Sequence, residues 1–192
     1  MHAALLAARD AGTSFRVVVV DARPLHEGRA LAHALAEDGL DVTYCLITAL
    51  SHAVRGATRC ILGAHAVLGN GAVYSRVGTA LVAMAARATN VPVVVCAESV
   101  KFTEKSALDG IIGNELAPEE ELTGYASATG GLVGSSPALD QWRDLEGLQA
   151  LNMLYDVTPA EYVDEIVTEL GAIPPGAAPA VQRLTAVGGM LE

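Results

Sequence analysis

Short β-branched runs alternate with stretches of helical periodicity along the first hundred residues, and this alternation restricts the fold more than any other feature. The clearest helical stretches are residues 27–37 and 75–89, and a shorter one covers residues 49–55. Strands that alternate with helices through short loops form a parallel sheet with helices on both faces. We therefore predict a Rossmann-like, doubly wound, mainly parallel α/β fold with its first strands adjacent or nearly so in one sheet. The four predicted strands are residues 17–21, 42–46, 58–62 and 93–97.

The composition agrees with this fold and excludes several classes of partner. Hydrophobic residues make up 52% of the 192 residues but aromatic residues only 4%, and small branched side chains suit strands that are buried on both faces. The formal net charge of −10 argues against nucleic acid or an anionic membrane as a direct partner. Because no apolar run approaches 18 residues, we expect no membrane-spanning helix and predict a cytoplasmic protein.

The second half of the chain is less regular, and we expect it to belong to the same domain. Residues 1–192 should form a single Rossmann-like domain with a flexible insertion at about residues 117–147, which combines acidic residues with Gly and Ser. Beyond the insertion we predict a strand over residues 151–156, a helix over 158–170 and a final strand over 181–187.

The chain opens on a segment of helical character, residues 3–10. In an alternating fold such a helix follows a strand, and no strand-like run precedes it. We therefore expect the sheet to begin one strand short, because the chain is the C-terminal part of a longer protein.

A Gly-rich stretch, residues 63–79, follows the third predicted strand and contains several candidate ligand-pocket residues. Open parallel sheets bind ligands beyond the carboxyl ends of their strands. Four candidates lie in this stretch: His65, Asn70, Ser75 and Arg76. Three more lie at or just beyond the end of the first strand: Asp21, Arg23 and Glu27. Each also has a structural interpretation, since His65 could be a hydrogen-bonded residue at a strand end, Arg76 could form a salt bridge, and Arg23 could pair with Asp21 or Glu27.

The three cysteines do not indicate a metal or redox site. Cys45, Cys60 and Cys96 each lie inside or at the end of an apolar run, their spacing fits no metal motif, and their number is odd. Buried, reduced thiols are the expected state. We predict neither a metal nor a cofactor.

Several motifs together resemble one protein family, and they cover nearly the whole chain outside residues 117–147. The matching segments are residues 21–29, 63–79, 90–98, 101–102, 114–116 and 152–159. They resemble the C-terminal domain shared by the alpha, beta and delta regulatory subunits of eukaryotic translation initiation factor 2B and by the methylthioribose-1-phosphate and ribose-1,5-bisphosphate isomerases. Within that family, Arg-Pro-x-x-Glu-Gly-Arg, Gly-Ala-His and Ser-Arg-Val-Gly-Thr are similar to the delta-type spellings.

The departures from the isomerase pattern each have a chemical consequence. The resemblance places the catalytic Asp of the isomerases at His65 and their phosphate-side Gln at Glu27, whose charge would repel a phosphate. Arg76 replaces a Lys and could still bind an anion. The catalytic Cys of the isomerases belongs upstream, and Cys45, Cys60 and Cys96 do not match it. Because isomerisation needs an acid/base pair, the resemblance implies a chain with no catalytic residues.

The resemblance also implies a set of partners. It points to a non-catalytic regulatory and scaffold subunit of the guanine nucleotide exchange factor for initiation factor 2, which responds to phosphorylated initiation factor 2. Its partners would be alpha- and beta-type regulatory subunits, the catalytic subunits and initiation factor 2, with a homodimer in isolation. The interface candidates are Tyr155, Val157 and Pro159, which equally fit a strand end and a helix cap. The alternatives are a sugar-phosphate isomerase and a metabolite-sensing module that keeps the ancestral pocket.

Overall fold

A computed structural model describes residues 1–106, 114–126, 132–135, 139 and 141–188. Its first half follows the predicted alternation of strands and helices. The elements are α1 (His2–Asp10), β1 (Val17–Asp21), α2 (Gly28–Glu37), β2 (Val42–Leu46), α3 (Leu50–Ala53), β3 (Cys60–Gly63), β4 (Ala66–Val67), β5 (Val73–Arg76), α4 (Thr79–Ala88) and β6 (Val93–Cys96). The second half adds α5 (Glu120–Thr123), β7 (Gly124–Ala126), β8 (Leu132–Ser135), β9 (Tyr155–Thr158), β10 (Glu165–Thr168), β11 (Gly171–Ile173) and α6 (Ala178–Gly188).

The parallel strands form two separate hydrogen-bonded groups. In the first, β1 pairs with β2 from Val17 opposite Val42 to Asp21 opposite Leu46. In the second, β3, β6 and β10 are parallel neighbours, and β11 adds an antiparallel strand beyond β10. The parallel direction is confirmed, but the prediction that the first four strands share one sheet is wrong, because no ladder joins β1 to β3 within the described residues.

Each parallel group carries its own helix. Helix α2 packs over β1 and β2, where Leu35 is fully buried against Val19 and Ala32. Helix α4 packs over β3 and β6, where Ala83 and Val93 are both buried. Small side chains let these helices approach the sheet closely, which accounts for the Ala- and Val-rich composition.

The stretch after β3 differs from the prediction. A helix was expected to begin near Ser75, but Ser75 lies in β5, and α4 begins at Thr79. Strand β5 pairs with β4 on one side and with β9 on the other, both antiparallel. Residues Val73 and Ser75 are buried and alternate with half-buried neighbours, so pairing with a distant segment outweighs local helical periodicity.

Glycine conformation explains how this stretch turns twice. Gly71 has φ +79°, and a Cβ there would lie 2.6 Å from the carbonyl oxygen of Pro175. Gly78 has φ +96° and is the N-cap of α4, which starts at the next residue. Both positions need a backbone conformation that other residues adopt only with strain.

Two further predictions in the second half are wrong. The helix expected over residues 158–170 is a single turn, Ala160–Tyr162, followed by β10. Within β10, Ile166 is fully buried and pairs with Val95, so tertiary pairing overrides the N-cap pattern at its start. The strand expected over residues 181–187 lies in α6, whose buried Ala178 and Val181 have helical spacing. The strand expected over residues 151–156 is β9, which begins only at Tyr155.

The predicted flexible insertion, residues 117–147, falls partly outside the described residues. Its described part contains the short helix α5 and the antiparallel pair β7–β8. Trp142 is 9% exposed at the start of a turn, and Arg143 forms ion pairs with Glu119 and Glu120. No helix in the described ranges is long and apolar enough to cross a membrane.

Candidate functional site

Asp21 is the first candidate residue along the chain. Two hydrogen bonds hold its side chain in place at the carboxyl end of β1. Its Oδ1 accepts from the backbone N–H of Ala22 at 2.8 Å, and its Oδ2 accepts from the hydroxyl of Tyr44 at 2.8 Å. The side chain is 7% exposed. A Cβ at Gly28 would lie 2.8 Å from the Asp21 Cγ, so Gly28 is required for α2 to start this close. Asp21 therefore fixes the junction between β1 and α2.

Arg23 points away from the acidic residues that were considered as its partners. Its guanidinium donates to the backbone carbonyl of Glu121, which lies at the start of α5. The peptide bond between Arg23 and Pro24 is cis. Arg23 thus ties the turn after β1 to the segment that contains α5.

Glu27, just before α2, and Arg76, at the end of β5, form a bidentate ion pair. Arg76 Nε donates to Glu27 Oε2 and Arg76 Nη2 donates to Glu27 Oε1, both at 2.9 Å. These hydrogen bonds raise the pKa of the Arg76 guanidinium. The Arg76 Cζ also lies 4.8 Å from the centroid of the Tyr155 ring, as in a cation–π contact. The cation best placed to bind an anion is therefore already neutralised by the chain's own carboxylate.

His65 belongs to an aromatic cluster beyond the carboxyl end of β3. Its backbone N–H donates to the carbonyl of Tyr74 at 2.9 Å. Its ring lies 5.8 Å from the Tyr74 ring, edge to face, and 5.0 Å from the Tyr155 ring. The two tyrosine rings stack at 4.8 Å with an interplanar angle of 17°. Among the described residues, no carboxylate forms a hydrogen bond with the His65 ring.

A cavity of about 210 Å³ brings some of the candidates together and leaves others outside. Its lining consists of Gly63, Ala64, His65, Ser75, Arg76 and Tyr155. The hydroxyl of Ser75, which is 8% exposed, donates to the carbonyl of Gly63 at 3.1 Å. Asn70 is outside the cavity, at the hairpin turn, where its Oδ1 accepts from the backbone N–H of Ala72 at 3.3 Å. The cavity wall is therefore built from β3 and the two residues after it, from β5 and from the start of β9.

The N-terminus of α4 is capped by a residue that sequence reasoning missed. Asp156 Oδ2 accepts from the backbone N–H groups of Gly78 at 2.7 Å and Ala80 at 3.1 Å. Its Oδ1 is buried with no hydrogen-bond partner among the described residues. Burial raises the pKa of the Asp156 carboxyl to about 6, against the lowering effect of the two hydrogen bonds. No local signal identifies this cap, because Asp156 and α4 are far apart in sequence.

Two more residues that sequence reasoning did not assign to the site support it. Asn114 holds Tyr155 at both backbone groups: its Nδ2 donates to the Tyr155 carbonyl at 2.7 Å, and its Oδ1 accepts from the Tyr155 N–H at 3.2 Å. Lys101 Nζ donates to the carbonyl of Ala64 at 2.9 Å. Both residues position the cavity wall through backbone atoms.

The three cysteines lie apart from these contacts. All three are unpaired by disulfides and partly buried, and burial raises the pKa of the Cys60 thiol to about 11. A thiol with such a pKa remains protonated near neutral pH. The described part of the chain contains no cluster of three or more His, Cys, Asp or Glu suited to holding a metal ion.

Comparison with known proteins assigns this arrangement to a family. Residues 1–175 match the model of the initiation factor 2 subunit family, named IF-2B. The chain belongs to the initiation factor 2 subunit family. This match covers β1 to β11, and with them every candidate residue of the site.

Members of the family with different activities are similar to this chain. It is 41% identical over 177 residues to the translation initiation factor eIF2B subunit delta of Schizosaccharomyces pombe, covering 92% of the chain and 38% of that protein. It is 34% identical to the ribose 1,5-bisphosphate isomerase of Pyrococcus furiosus, over 88% of the chain and 48% of that enzyme. The chain therefore spans less than half the length of either relative.

A solved structure of the family has the same fold. One chain of the tetrameric eIF2B-beta2-delta2 complex from C. thermophilum superposes on this protein with a TM-score of 0.67 and 29% identity. The match covers 86% of this chain and 46% of the chain in the complex. The IF-2B assignment confirms the resemblance on which the sequence expectations rested.

The interface candidates differ in how much surface they offer. Tyr155 is 6% exposed, because its ring is enclosed by the aromatic cluster. Val157 and Pro159 are half-buried. The helix expected to start at Pro159 is only the turn Ala160–Tyr162. Any contact made by this part of the IF-2B chain would therefore rest on Val157 and Pro159 more than on Tyr155.

Proposed function

We propose that this chain is the C-terminal domain of a delta-type regulatory subunit of the guanine nucleotide exchange factor for initiation factor 2. The similarity to the eIF2B delta subunit of S. pombe over 92% of the chain carries this proposal. As a scaffold the domain would pair with related subunits and contribute to translation initiation and its control by phosphorylated initiation factor 2. Exchange chemistry would belong to other subunits.

The site geometry supports a role without catalysis. Moving a proton between neighbouring carbons of a sugar phosphate requires a positioned acid and base. The family resemblance places His65 at the position of the isomerases' catalytic Asp, and its ring packs among tyrosines. Glu27 pairs with Arg76 and places a carboxylate where a phosphate would need a cation. Both changes remove groups that isomerisation needs.

The proposed partners are alpha- and beta-type regulatory subunits, the catalytic subunits and initiation factor 2, in the cytoplasm. We place a subunit contact beside β9, at Val157 and Pro159. The surface near the start of this strand is apolar, since Leu116 and Leu151 are 57% and 55% exposed. Such side chains normally become buried at an interaction surface.

In isolation the chain would pair with a second copy. We treat residues 1–192 as one domain with a flexible insertion at about 117–147.

An enzyme assay tests the non-catalytic assignment. Full-length protein is incubated with ribose 1,5-bisphosphate and with methylthioribose 1-phosphate, and product is followed by NMR. We expect no turnover. Turnover that disappears in His65→Ala but survives in His33→Ala, a change at an exposed histidine of α2, would overturn the proposal.

A second candidate function is binding of a sugar phosphate without turnover. The cavity of about 210 Å³ beside His65, Ser75 and Arg76 favours it, because it retains a hydroxyl and a guanidinium on one wall. Titration with a pentose phosphate, followed by thermal shift, tests this function. A saturable shift without product supports binding, and the absence of a shift at millimolar ligand excludes it.

A further inference from the structure

The hairpin that joins β4 to β5 carries the only Asn-Gly pair of the sequence, Asn70 followed by Gly71. At its tip the N–H of Leu68 donates to the Ala72 carbonyl, and the N–H of Gly71 donates to the Leu68 carbonyl, both at 2.8 Å. Gly71, with φ +79°, supplies the left-handed residue that often closes such a turn. Asn70 is exposed at this tip, so solvent reaches it.

An asparagine that precedes a glycine is chemically reactive, because glycine has no side chain to shield its backbone nitrogen. That nitrogen loses its proton to a base in the solvent and attacks the Cγ of the asparagine side chain. A five-membered succinimide ring forms, and the amide nitrogen takes up a proton and leaves as ammonia. Water then opens the ring at either of its two carbonyls. One product is aspartate, and the other is isoaspartate, in which the main chain runs through the former side chain.

The closed hairpin holds both reacting groups apart. The nitrogen of Gly71 keeps its proton in the hydrogen bond to the Leu68 carbonyl. The side chain of Asn70 is held by a second hydrogen bond, in which its Oδ1 accepts from the N–H of Ala72 at 3.3 Å. Removing the proton breaks the first hydrogen bond, and turning Cγ toward the nitrogen breaks the second. The ring can therefore close only after the tip of the hairpin has opened.

The tip also has no room for a longer backbone. The N–H of Gly69 donates to the Lys105 carbonyl at 2.9 Å, and a Cβ at Gly69 would lie 3.0 Å from the carbonyl oxygen of Glu104. A Cβ at Gly71 would lie 2.6 Å from the carbonyl oxygen of Pro175. Isoaspartate adds one CH₂ group to the main chain between these two glycines, whereas aspartate leaves the main chain unchanged. Only the isoaspartyl product therefore conflicts with the neighbouring segments.

We propose that Asn70 is a site of spontaneous deamidation that reacts only when the β4–β5 hairpin opens, and that its isoaspartyl product cannot return to the folded hairpin. Water and a base in the solvent are the only co-reactants. The hairpin leads directly into β5, whose Ser75 and Arg76 line the cavity of the candidate site. Isoaspartate at position 70 thus displaces part of the cavity wall, while aspartate at the same position does not.

Peptide mass spectrometry of the chain, aged at mildly alkaline pH, tests the site and its dependence on opening. One portion is kept folded, and the other is unfolded in guanidinium chloride. We expect Asn70 to react fastest of the four asparagines in the unfolded portion. In the folded portion it should react at least about tenfold more slowly, as for a group exposed only by local opening. Asn90 is the internal control, because it also has positive φ, +57°, but precedes a valine.

Refolding of the aged chains tests the product. Chains with aspartate or isoaspartate at position 70 have equal mass and are separated by chromatography. We expect the amides of Gly71 and Ala72 to exchange hydrogen at least about tenfold faster in the isoaspartyl chain than in the unaged chain. The matched control is Asn70→Asp, whose carboxylate oxygen can still accept from the N–H of Ala72. It should keep the slow exchange of both amides.

Four results would overturn the proposal. Deamidation of Asn70 no faster than that of Asn90 in the unfolded chain would remove the site. Equal rates at Asn70 in the folded and unfolded portions would show that the closed hairpin does not hinder the reaction. Unchanged exchange at Gly71 in the isoaspartyl chain would show that the tip accommodates the longer backbone. Fast exchange at Gly71 in Asn70→Asp as well would mean that the new charge, and not the added CH₂ group, disrupts the hairpin.

Discussion

Arg76 and Glu27 face each other in a fork-to-fork arrangement, with two hydrogen bonds of 2.9 Å between guanidinium and carboxylate. The side chains are 42% and 58% exposed, so the pair contributes little to stability, about 0.2–1 kcal/mol for exposed pairs. Its effect is on recognition, because a neutralised guanidinium attracts anions weakly. We propose that the pair is one of the features that distinguish this chain from a sugar-phosphate isomerase.

Glu27→Gln should therefore restore anion binding at Arg76. The change keeps the size of the side chain but removes the charge that competes with a phosphate. We expect a thermal shift with pentose phosphate that is absent or at least about tenfold weaker in the unchanged protein, a difference of about 1.4 kcal/mol. Glu161→Gln, at an exposed position outside the cavity, is the control. Equal affinity in all three proteins would show that Glu27 does not block the site.

Asp156 should make stability depend on pH in the direction opposite to most carboxylates. Its pKa is raised to about 6 in the folded chain from an ordinary 3.8. Protonation therefore favours the folded state, so the stabilisation is complete below pH 3.8 and is lost as pH rises to about 6.

Asp156→Asn removes this titration, because an amide does not ionise in that range. The free energy of unfolding of the unchanged protein, minus that of Asp156→Asn, should fall between pH 4 and 6 and stay level above pH 6. Chemical denaturation across this range measures the difference, in which other titrating groups cancel. A difference that rises with pH would mean that the two hydrogen bonds to α4 outweigh burial. Asp156→Ala should additionally cost about 0.5–2 kcal/mol through loss of the cap.

Local sequence predicted some strands and helices of this chain and not others, and the wrongly predicted helix over residues 158–170 is one example. The Val-rich strands β1 and β6 and the helices between them were predictable, because their periodicity is carried by consecutive residues. Strand β5 was not, since its pairing partner β9 lies about eighty residues further along the chain, and of β9 only Tyr155 and Asp156 fall within the strand predicted over residues 151–156. Asp156 was missed for the same reason. The Gly-rich stretch did locate His65 and Arg76, but their partners Tyr155 and Glu27 come from elsewhere in the fold.

Adjacent substitutions in β10 separate the strand from the expected helix. Ile166 is fully buried against Val95, whereas Val167 is 37% exposed on the opposite face. Ile166→Ala should lower the free energy of unfolding by about 2–5 kcal/mol, as for a cavity in a packed core. Val167→Ala should cost less than about 1 kcal/mol by the same rule scaled to partial burial. Similar losses at both positions, measured by urea denaturation, would contradict the alternation.

The proposed subunit contact makes a separate prediction. Val157→Asp places a charge on a half-buried position of β9, and burying that charge in an interface would be costly. Association with a beta-type regulatory subunit should weaken by at least about tenfold, or 1.4 kcal/mol. Leu170→Asp, at an exposed turn between β10 and β11, is the control and should bind normally. If Leu170→Asp weakened association and Val157→Asp did not, the interface would lie at the turn between β10 and β11 and not beside β9.

Sedimentation of the full-length protein with a beta-type regulatory subunit tests the central claim most directly. As a delta-type subunit it should form a hetero-oligomer larger than either protein alone at micromolar concentration. Two species that sediment independently across that range would contradict its assignment as a scaffold subunit.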